Sequence, residues 1–261
     1  MKGKLFVANA FTQEEFGGNP AAVIPLDEWP EEGLMQQIAT QNNLSETAFI
    51  IPEGKDYRIR WFTPTLEVKL CGHATLAAAH IFFNHLSYQE KKIIFHSQSG
   101  PLYVFKKDDG SIMLDFPADK PVETEAPEGL IKGLKLKPLA VYRSSFDYIA
   151  VLENQQEIQE LDPDLTLIKT IPARGIIVSA RGETCDFVSR CFFPQSGVDE
   201  DPVTGSAHTA LVPYWAEKRG KEKLSAIQLS KRRGYLDCEL SGQRVLMSGH
   251  AHTYLIGDFF T

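Results

Sequence analysis

Two similar stretches of sequence decide the fold of this chain: Arg60–Pro64 (RWFTP) and Arg190–Pro194 (RCFFP). The second lies 130 positions after the first, which is half the length of the 261-residue chain. Each is followed, after a short loop, by a glycine and an apolar stretch, with Gly72 in the first half and Gly205 in the second. Because order, offset and the following helix pattern agree, the sequence favours two similar halves over a single domain with a repeated turn.

The pattern around these stretches predicts mostly short strands, because runs of aromatic and branched residues alternate with turn residues. In the first half we expect strands at residues 5–9, 21–24, 47–51, 58–62, 93–96, 102–105 and 112–116. In the second half we expect strands at residues 140–143, 148–152, 175–180, 186–192, 227–230, 235–240, 244–248 and 253–256. The sequence therefore predicts a protein rich in β-structure.

Three helices stand out among the predicted strands. Residues 31–42 follow a proline and begin with acidic residues, as helix starts do. Residues 73–85 (HATLAAAHIFFNH) are apolar on nearly every face, which indicates a helix surrounded by protein. The third, at 206–218, contains Pro213 and is expected to kink there. We therefore predict mostly antiparallel strands wrapped around one buried helix in each half.

A stretch rich in Pro and Glu, residues 117–127, is the expected joint between two domains. The first domain, residues 1–117, carries Glu46 and His73. The second domain, residues 128–261, carries Asp201 and Ser206. We expect the active site in the cleft between them.

Composition excludes several classes of function. The net charge of −7 and a pI near 5.5 argue against nucleic-acid binding, and the longest basic cluster is only Lys231–Arg233. Neither a signal-peptide core nor an apolar run of membrane-spanning length is present, so we expect no membrane association. The four cysteines lack the paired spacing of zinc or thiol redox sites, and a cytoplasmic location fits this usage.

The predicted helix starts and one carboxylate suggest where chemistry could occur. Helices that begin at Gly72 and Gly205 would point unpaired backbone N–H groups at a bound anion. Glu46 lies between a helix end and an apolar strand, and partial enclosure would raise its pKa and suit it to acid/base work. Taken alone, however, a Glu beside a strand is more often a surface or capping residue.

The densest polar segment, residues 197–208, permits other interpretations that the sequence disfavours. Asp199 and Asp201 superficially match a phosphatase nucleophile loop, but a loop precedes them where that motif needs a hydrophobic strand. Ser206 and His208 lack the Gly-x-Ser-x-Gly elbow of a hydrolase. The histidines form no metal motif, so we predict no metal site and interpret most of them as structural.

Taken in order, the motifs of this chain resemble the PhzF-like phenazine-biosynthesis family over almost its whole length. Seven motifs carry the resemblance: Asn9–Thr12 with Gly18–Val23, Leu44–Phe49, Phe62–Pro64, Cys71–Thr75, Asp115–Pro117, Asp201–His208 and Ser248–Ala251. The resemblance implies a diaminopimelate-epimerase-like α+β fold with two pseudo-symmetric domains. Each would be a mostly antiparallel, curled sheet or barrel around a central helix.

The resemblance also implies an activity and a set of site residues. A family glutamate, matched here by Glu46, takes a proton from one carbon of a dihydroxyanthranilate-type substrate and returns it to another, so that a double bond shifts. The implied catalytic residues are Glu46, His73 and Asp201. The implied substrate-binding residues are Ser45, Gly72, Gly205 and Ser206. We therefore expect a cofactor-independent isomerase, a homodimer, acting on a small acidic metabolite.

Two alternatives remain open from the sequence. Cofactor-independent racemases of this fold commonly place a cysteine before each helix, and Cys71 occupies the first such position. The second position offers no thiol within Asp201–Thr204, which disfavours inversion by two thiols. A binding protein that kept the cleft and lost catalysis is the other alternative, although Glu46, His73 and Asp201 are all present.

Overall fold

The structure is a computed structural model that describes residues 2–261. The chain folds into two compact units, one reaching to Asp115 and including Ser248–Thr261, and the other comprising Phe116–Met247. Among the described residues, no helix has both the length and the apolar character needed to cross a membrane.

Strands outnumber helices within residues 2–261. The strands are β1 (Lys2–Ala10), β2 (Asn19–Pro25), β3 (Glu46–Glu53), β4 (Asp56–Phe62), β5 (Glu67–Val68), β6 (Lys92–Ser97), β7 (Gly100–Lys106), β8 (Ile112–Pro117), β9 (Val122–Thr124), β10 (Ala140–Arg143), β11 (Asp147–Val151), β12 (Gly175–Arg181), β13 (Phe187–Phe193), β14 (Val198–Asp201), β15 (Lys223–Gln228), β16 (Gly234–Ser241), β17 (Arg244–Gly249) and β18 (Ala251–Phe260). The α-helices are α1 (Glu32–Asn42), α2 (Gly72–His85), α3 (Leu130–Leu134), α4 (Gln155–Glu160), α5 (Leu165–Ile168) and α6 (Gly205–Arg219). A 3-10 turn spans Pro194–Ser196.

The first unit is a curled sheet around α2. Strand β2 runs parallel to β3, β3 antiparallel to β4, β4 parallel to β6, and β6 antiparallel to β7. Helix α2 packs against β1, β2 and β3, and eleven of its fourteen residues are buried. A helix that is apolar on most of its surface is stable only where protein covers most of it.

The second unit repeats this pairing pattern. Strand β11 runs parallel to β12, β12 antiparallel to β13, β13 parallel to β15, and β15 antiparallel to β16. Helix α6 takes the place of α2 and packs against β15 and β16. The predicted α+β fold with two similar halves is therefore confirmed.

A pairing geometry common to both units explains why the two similar pentapeptides matter. In the first unit Arg60 donates from Nε and Nη2 to the two carboxylate oxygens of Glu67, at 2.7 Å each. In the second unit Arg190 donates in the same way to Glu200, at 2.7 and 2.9 Å. Such bidentate pairs are strong and directional. Each therefore fixes a short strand, β5 or β14, in the chain segment that leads to the unit's central helix.

Pro213 is accommodated inside α6 by a hydrogen bond from outside the helix. A proline has no N–H, so the carbonyl four residues earlier loses its helical partner. That carbonyl belongs to Thr209, and it accepts a hydrogen bond from the backbone N–H of Asp119 at 3.0 Å. The segment expected to be an irregular joint therefore satisfies a helix carbonyl that Pro213 leaves without a partner.

The structure corrects the expected second domain, residues 128–261, at its C-terminal end. Residues 248–261 belong to the first unit, because β18 pairs antiparallel with β1 from Ala251 opposite Ala10 to Phe260 opposite Lys2. This pairing covers a strand edge that would otherwise expose unpaired backbone groups. The expected joint, residues 117–127, is also partly regular, since it contains β9, which pairs with β10.

Candidate active site

Glu46 is the first residue of β3, where it follows the end of α1. Asn43 ends that helix in the left-handed conformation, with a φ of 49°, which Asn tolerates better than most residues. Asn42 then donates from Nδ2 to Thr47 Oγ1 at 3.1 Å, across the loop that contains Ser45. The loop is therefore held at both ends, and only 17% of the Glu46 side chain is exposed.

His73 and Cys71 lie beside Glu46 at the start of α2. The His73 Nε2 atom is 3.1 Å from Glu46 Oε2, and the His73 side chain is 5% exposed. Among the described residues neither of these two buried atoms has a well-aligned hydrogen-bond partner. On its other side the ring contacts the thiol, with His73 Nδ1 3.5 Å from Cys71 Sγ. Glu46 and His73 thus face each other with unused hydrogen-bonding capacity.

The pKa values of His73 and Cys71 both lie above their ordinary values. Burial lowers the pKa of His73, but Cys71 and Glu46 beside it outweigh burial, and the pKa lies well above its ordinary value. Burial, and then the Glu46 charge, raise the pKa of Cys71. Since the thiolate is the reactive form of cysteine, Cys71 is poorly suited to act as a nucleophile or base.

The same three side chains are the ones that could hold a metal ion. Glu46, Cys71 and His73 each place one ligand atom within 4.8 Å of the others. Oxygen, sulfur and nitrogen suit Zn²⁺, but the set is one ligand short of a closed tetrahedral site and the thiol would have to lose its proton.

In the second unit Asp201 lies at the end of β14, shortly before α6. Thr204, the residue before the helix, donates from Oγ1 to Asp201 Oδ2 at 2.5 Å. Gln228, which is fully buried, donates to the Asp201 carbonyl at 2.7 Å and accepts from the Thr204 N–H at 2.8 Å. These bonds hold the Asp201 backbone and carboxylate in place relative to the helix start.

Ser206 is the second residue of α6, and it contacts an arginine that sequence reasoning missed. Arg174 donates from Nη1 to Ser206 Oγ at 3.0 Å. Arg174 also donates from Nε and Nη2 to the two carboxylate oxygens of Asp147. No sequence motif marks Arg174, and its position becomes recognisable only when the strand register of the two units is compared.

Strand register shows which residues of the two units correspond. Thr47 lies opposite Phe62 in the first unit, and Ile176 lies opposite Phe192 in the second. The residues before Thr47 and Ile176 are Glu46 and Gly175, so these two are equivalent. The parallel partners agree, because Ala21 lies opposite Glu46 and Asp147 opposite Gly175. One residue earlier, Ser45 corresponds to Arg174.

The two units therefore differ where the first carries its carboxylate. A Cβ atom on Gly175 would lie 2.1 Å from Cδ1 of Phe193 and 2.5 Å from the backbone oxygen of Phe192. No side chain fits there without moving the backbone. At the helix starts, Cys71 corresponds to Thr204, because Gly72 and Gly205 each begin their helix. The second unit thus offers neither a carboxylate nor a thiol at these positions.

His208, to which the sequence assigns no clear role, is structural. It is fully buried in α6, and its Nδ1 lies 2.8 Å from the Thr204 carbonyl, to which a neutral ring donates. Its ring lies 5.8 Å from that of Phe187. Burial lowers the pKa of His208 to about 4.

The lowered pKa of His208 predicts a loss of stability in mild acid. Below about pH 6.5 the unfolded chain binds a proton on this residue, while the folded protein resists it until about pH 4. The free energy of unfolding therefore has its full contribution from His208 above that range. This contribution falls by on the order of 3 kcal/mol as the pH drops through the range. Urea unfolding of the wild type and of His208→Gln at pH 7 and pH 4.5 measures this contribution.

The comparison of the two proteins isolates His208 from the other acid-sensitive groups. We expect the wild type to lose more stability than His208→Gln between the two pH values. An equal loss in both proteins would show that His208 does not resist protonation.

Comparisons with known proteins agree with this architecture. Residues 8–257 match the family model described as phenazine biosynthesis-like protein. A Pseudomonas aeruginosa protein named as an uncharacterized isomerase is 49% identical over 243 residues, covering 93% of each chain. The crystal structure of a PhzF family protein from Enterococcus faecalis has a TM-score of 0.96 and 43% identity, and covers 100% of both chains. A hydroxyproline epimerase from Agrobacterium vitis shares the fold alone, with a TM-score of 0.61 at 8% identity over 98% of this chain and 92% of that one.

Curled sheets around central helices are the α+β fold of the PhzF family structure and, at the level of the fold alone, of the epimerase. Three curated relatives, 46–49% identical to this chain over 93–98% of its length, carry isomerase names. The chain belongs to the phenazine biosynthesis-like family.

Proposed function

We propose that this protein is an isomerase that shifts a proton on a small carboxylate-bearing metabolite, with Glu46 as general acid and base. The observation that carries the proposal is the 3.1 Å approach of Glu46 Oε2 to His73 Nε2 in a nearly closed environment. The isomerase names of relatives up to 49% identical support the reaction class.

In the proposed reaction the Glu46 carboxylate removes a proton from one carbon, and the electron pair of that C–H bond delocalises into an adjacent double bond. Glu46, now protonated, returns the same proton to another carbon of the delocalised anion. The double bond moves and no atom is gained or lost. Positioned acid/base groups contribute about 10²–10⁴-fold in rate to such steps.

His73 supports this cycle through its charge. A histidine whose pKa lies well above its ordinary value is cationic near neutral pH. This cation would lie 3.1 Å from Oε2 of Glu46, the carboxylate that removes the proton in the proposed cycle. The backbone N–H groups at the start of α2 and α6 have no partner inside their helices and are suited to stabilise developing negative charge. We assign substrate binding to Ser45, Gly72, Gly205 and Ser206, and orientation or proton relay to Asp201.

Inversion of a carbon by two bases, as in an epimerase, is disfavoured by the second unit. Gly175 replaces the carboxylate, and Thr204 replaces the thiol, at the positions equivalent to Glu46 and Cys71. A single carrier that works on one face of the substrate remains. The proposal includes no cofactor and, following the family resemblance, a cytoplasmic homodimer.

The experiment that tests the proposal is incubation in D₂O with a panel of unsaturated cyclic carboxylates and amino carboxylates, followed by NMR. An isomerase moves a double bond in one of them and places deuterium, where solvent exchange competes, on the carbon that receives the proton. Exchange at the α-carbon with loss of optical rotation would instead indicate a racemase. Tight binding without any change in carbon-bound hydrogen would indicate a binding protein.

A further inference from the structure

We propose that Arg174 binds the acidic group of the substrate in the second unit, acting together with the hydroxyl of Ser206. The inference deepens the proposed function and rests on it, since it identifies the side chain that would make an anionic substrate necessary. Arg174 lies in none of the motifs that carry the family resemblance.

Arg174 keeps N–H donors available for a ligand. An arginine has five N–H donors. Within residues 2–261 three of them have partners, two on Asp147 and one on Ser206. The side chain of Arg174 is 35% exposed, whereas that of Asp147 is 2% exposed. Asp147 thus holds the guanidinium from the buried side, and donors remain on the side open to a ligand.

The guanidinium of Arg174 is held rigidly by its neighbours. It lies over the ring of Phe146 at 5.5 Å and over the ring of Phe193 at 5.2 Å. Aromatic contacts and a bidentate carboxylate together fix the plane of the group. Burial lowers the pKa of Arg174, but Asp147 outweighs it, so the pKa lies above its ordinary value and the group stays cationic. A cation fixed in this way loses little entropy when it binds a carboxylate.

Arg174 also affects how the Ser206 hydroxyl can hydrogen bond. Because the Ser206 oxygen accepts a hydrogen bond from Arg174, its own O–H is left to donate elsewhere. Donation from a cation polarises the hydroxyl and strengthens it as a donor. Arg174 and Ser206 therefore form a pair of donors at the first turn of α6, where backbone N–H groups also favour negative charge.

The correspondence between the two units also favours a binding role for Arg174. Arg174 occupies the position of Ser45, directly before the position of Glu46. At this place the first unit supplies a proton carrier, and the second supplies a fixed positive charge. Two acidic groups already act on that charge, Asp147 in contact and Asp201 through space. Because they offset part of the positive charge, the guanidinium suits a singly charged carboxylate better than a phosphate dianion.

The test measures binding where no turnover occurs, in the Glu46→Gln protein. The probes are anthranilate, a planar amino carboxylate, and anthranilamide, its uncharged amide. We expect Glu46→Gln to bind anthranilate at least tenfold more tightly than anthranilamide by calorimetry. Adding Arg174→Gln should weaken anthranilate binding by about 10- to 100-fold, as loss of charge-assisted hydrogen bonds does. Binding of anthranilamide should change less than threefold, and adding Arg174→Lys instead should give an intermediate loss.

Two further variants keep the test decisive. Arg174→Gln leaves Asp147 buried without its partner, so the double change Asp147→Asn with Arg174→Gln removes both charges and tests the site without a lone buried carboxylate. Arg181→Gln removes the same charge from the exposed end of β12 and should leave both affinities unchanged.

The result that overturns the proposal is specific to the carboxylate. Equal affinity for anthranilate and anthranilamide in Glu46→Gln would exclude a carboxylate site. A preference for anthranilate that survives both Arg174→Gln and the double change Asp147→Asn with Arg174→Gln would place the carboxylate site elsewhere. Failure of the proposed function is a separate result: the wild type would shift no double bond in the D₂O panel, or Glu46→Gln would keep full isomerase activity, whatever Arg174 does to binding.

Discussion

Glu46→Gln is expected to lower isomerase turnover by about 10²–10⁴-fold, towards the upper end of that range, while the substrate still binds. Glutamine keeps the shape of the side chain, but its amide cannot accept and return a proton at neutral pH. In the proposed cycle Glu46 is the only carrier, so no second group replaces it. Steady-state kinetics and calorimetric binding of the same substrate separate the loss of turnover from any loss of affinity.

The matched control for this prediction lies on the same strand. Glu53 is the last residue of β3, pairs at the surface with Arg58, and loses the same charge in Glu53→Gln. We expect Glu53→Gln to keep wild-type turnover, and Glu46→Asp, in which the carboxylate is one methylene shorter, to keep a small fraction of it. Full turnover in Glu46→Gln would rule out Glu46 as the carrier.

Gly175→Ala is expected to destabilise the protein by about 3 kcal/mol, the upper part of the usual range for overpacking. The new methyl group would lie 2.5 Å from the Phe192 backbone oxygen and 2.1 Å from a ring carbon of Phe193. A ring can rotate, but a backbone oxygen held in β13 opposite β12 cannot move without breaking the pairing. Urea unfolding monitored by circular dichroism measures the free energy of unfolding.

Gly33→Ala provides the contrasting control. A Cβ atom on Gly33 meets no atom within 4 Å, and the residue lies within α1. Alanine there should stabilise the protein by about 0.5–1 kcal/mol, since it restricts the unfolded chain and favours the helix. If Gly175→Ala proved as stable as the wild type, the inference that close packing leaves no room for a side chain at residue 175 would be wrong.

These two predictions concern equivalent positions and together explain a single-carrier reaction. A symmetric duplication would place a carboxylate in each unit. Here the equivalent of Glu46 is a glycine that close packing requires. The second unit therefore carries no base at the position equivalent to Glu46.

The sequence predicts the regular elements best where the apolar pattern is long. Helices α2 and α6 are expected at residues 73–85 and 206–218, and they occur at Gly72–His85 and Gly205–Arg219. Three helices of four to six residues, α3, α4 and α5, are not predicted. They are too short to show a helical period, and they exist because residues such as Leu130, Ile158 and Ile168 pack into the second unit's core.

The candidate site is predicted from sequence to a similar extent. Glu46 and His73 belong to separate motifs, and the structure brings them to 3.1 Å. Asp201 and Ser206 come from one polar segment, and both lie near the start of α6. Their catalytic and binding roles stay predictions. Sequence reasoning misses Arg174 because it lies in no motif, and its partners Asp147 and Ser206 are 27 and 32 residues away along the chain.

By itself, the amino-acid order determined the internal duplication, the two buried helices and the chemical type of the side chains at their starts, because these depend on local pattern. Tertiary structure alone decided three further features. Residues 248–261 join the first unit by pairing with β1, Gly175 has no room for a side chain, and Arg174 is fixed between Asp147 and Ser206. Each depends on which distant segments of the chain become neighbours, and strand pairing between residues far apart in sequence leaves no local pattern that could predict it.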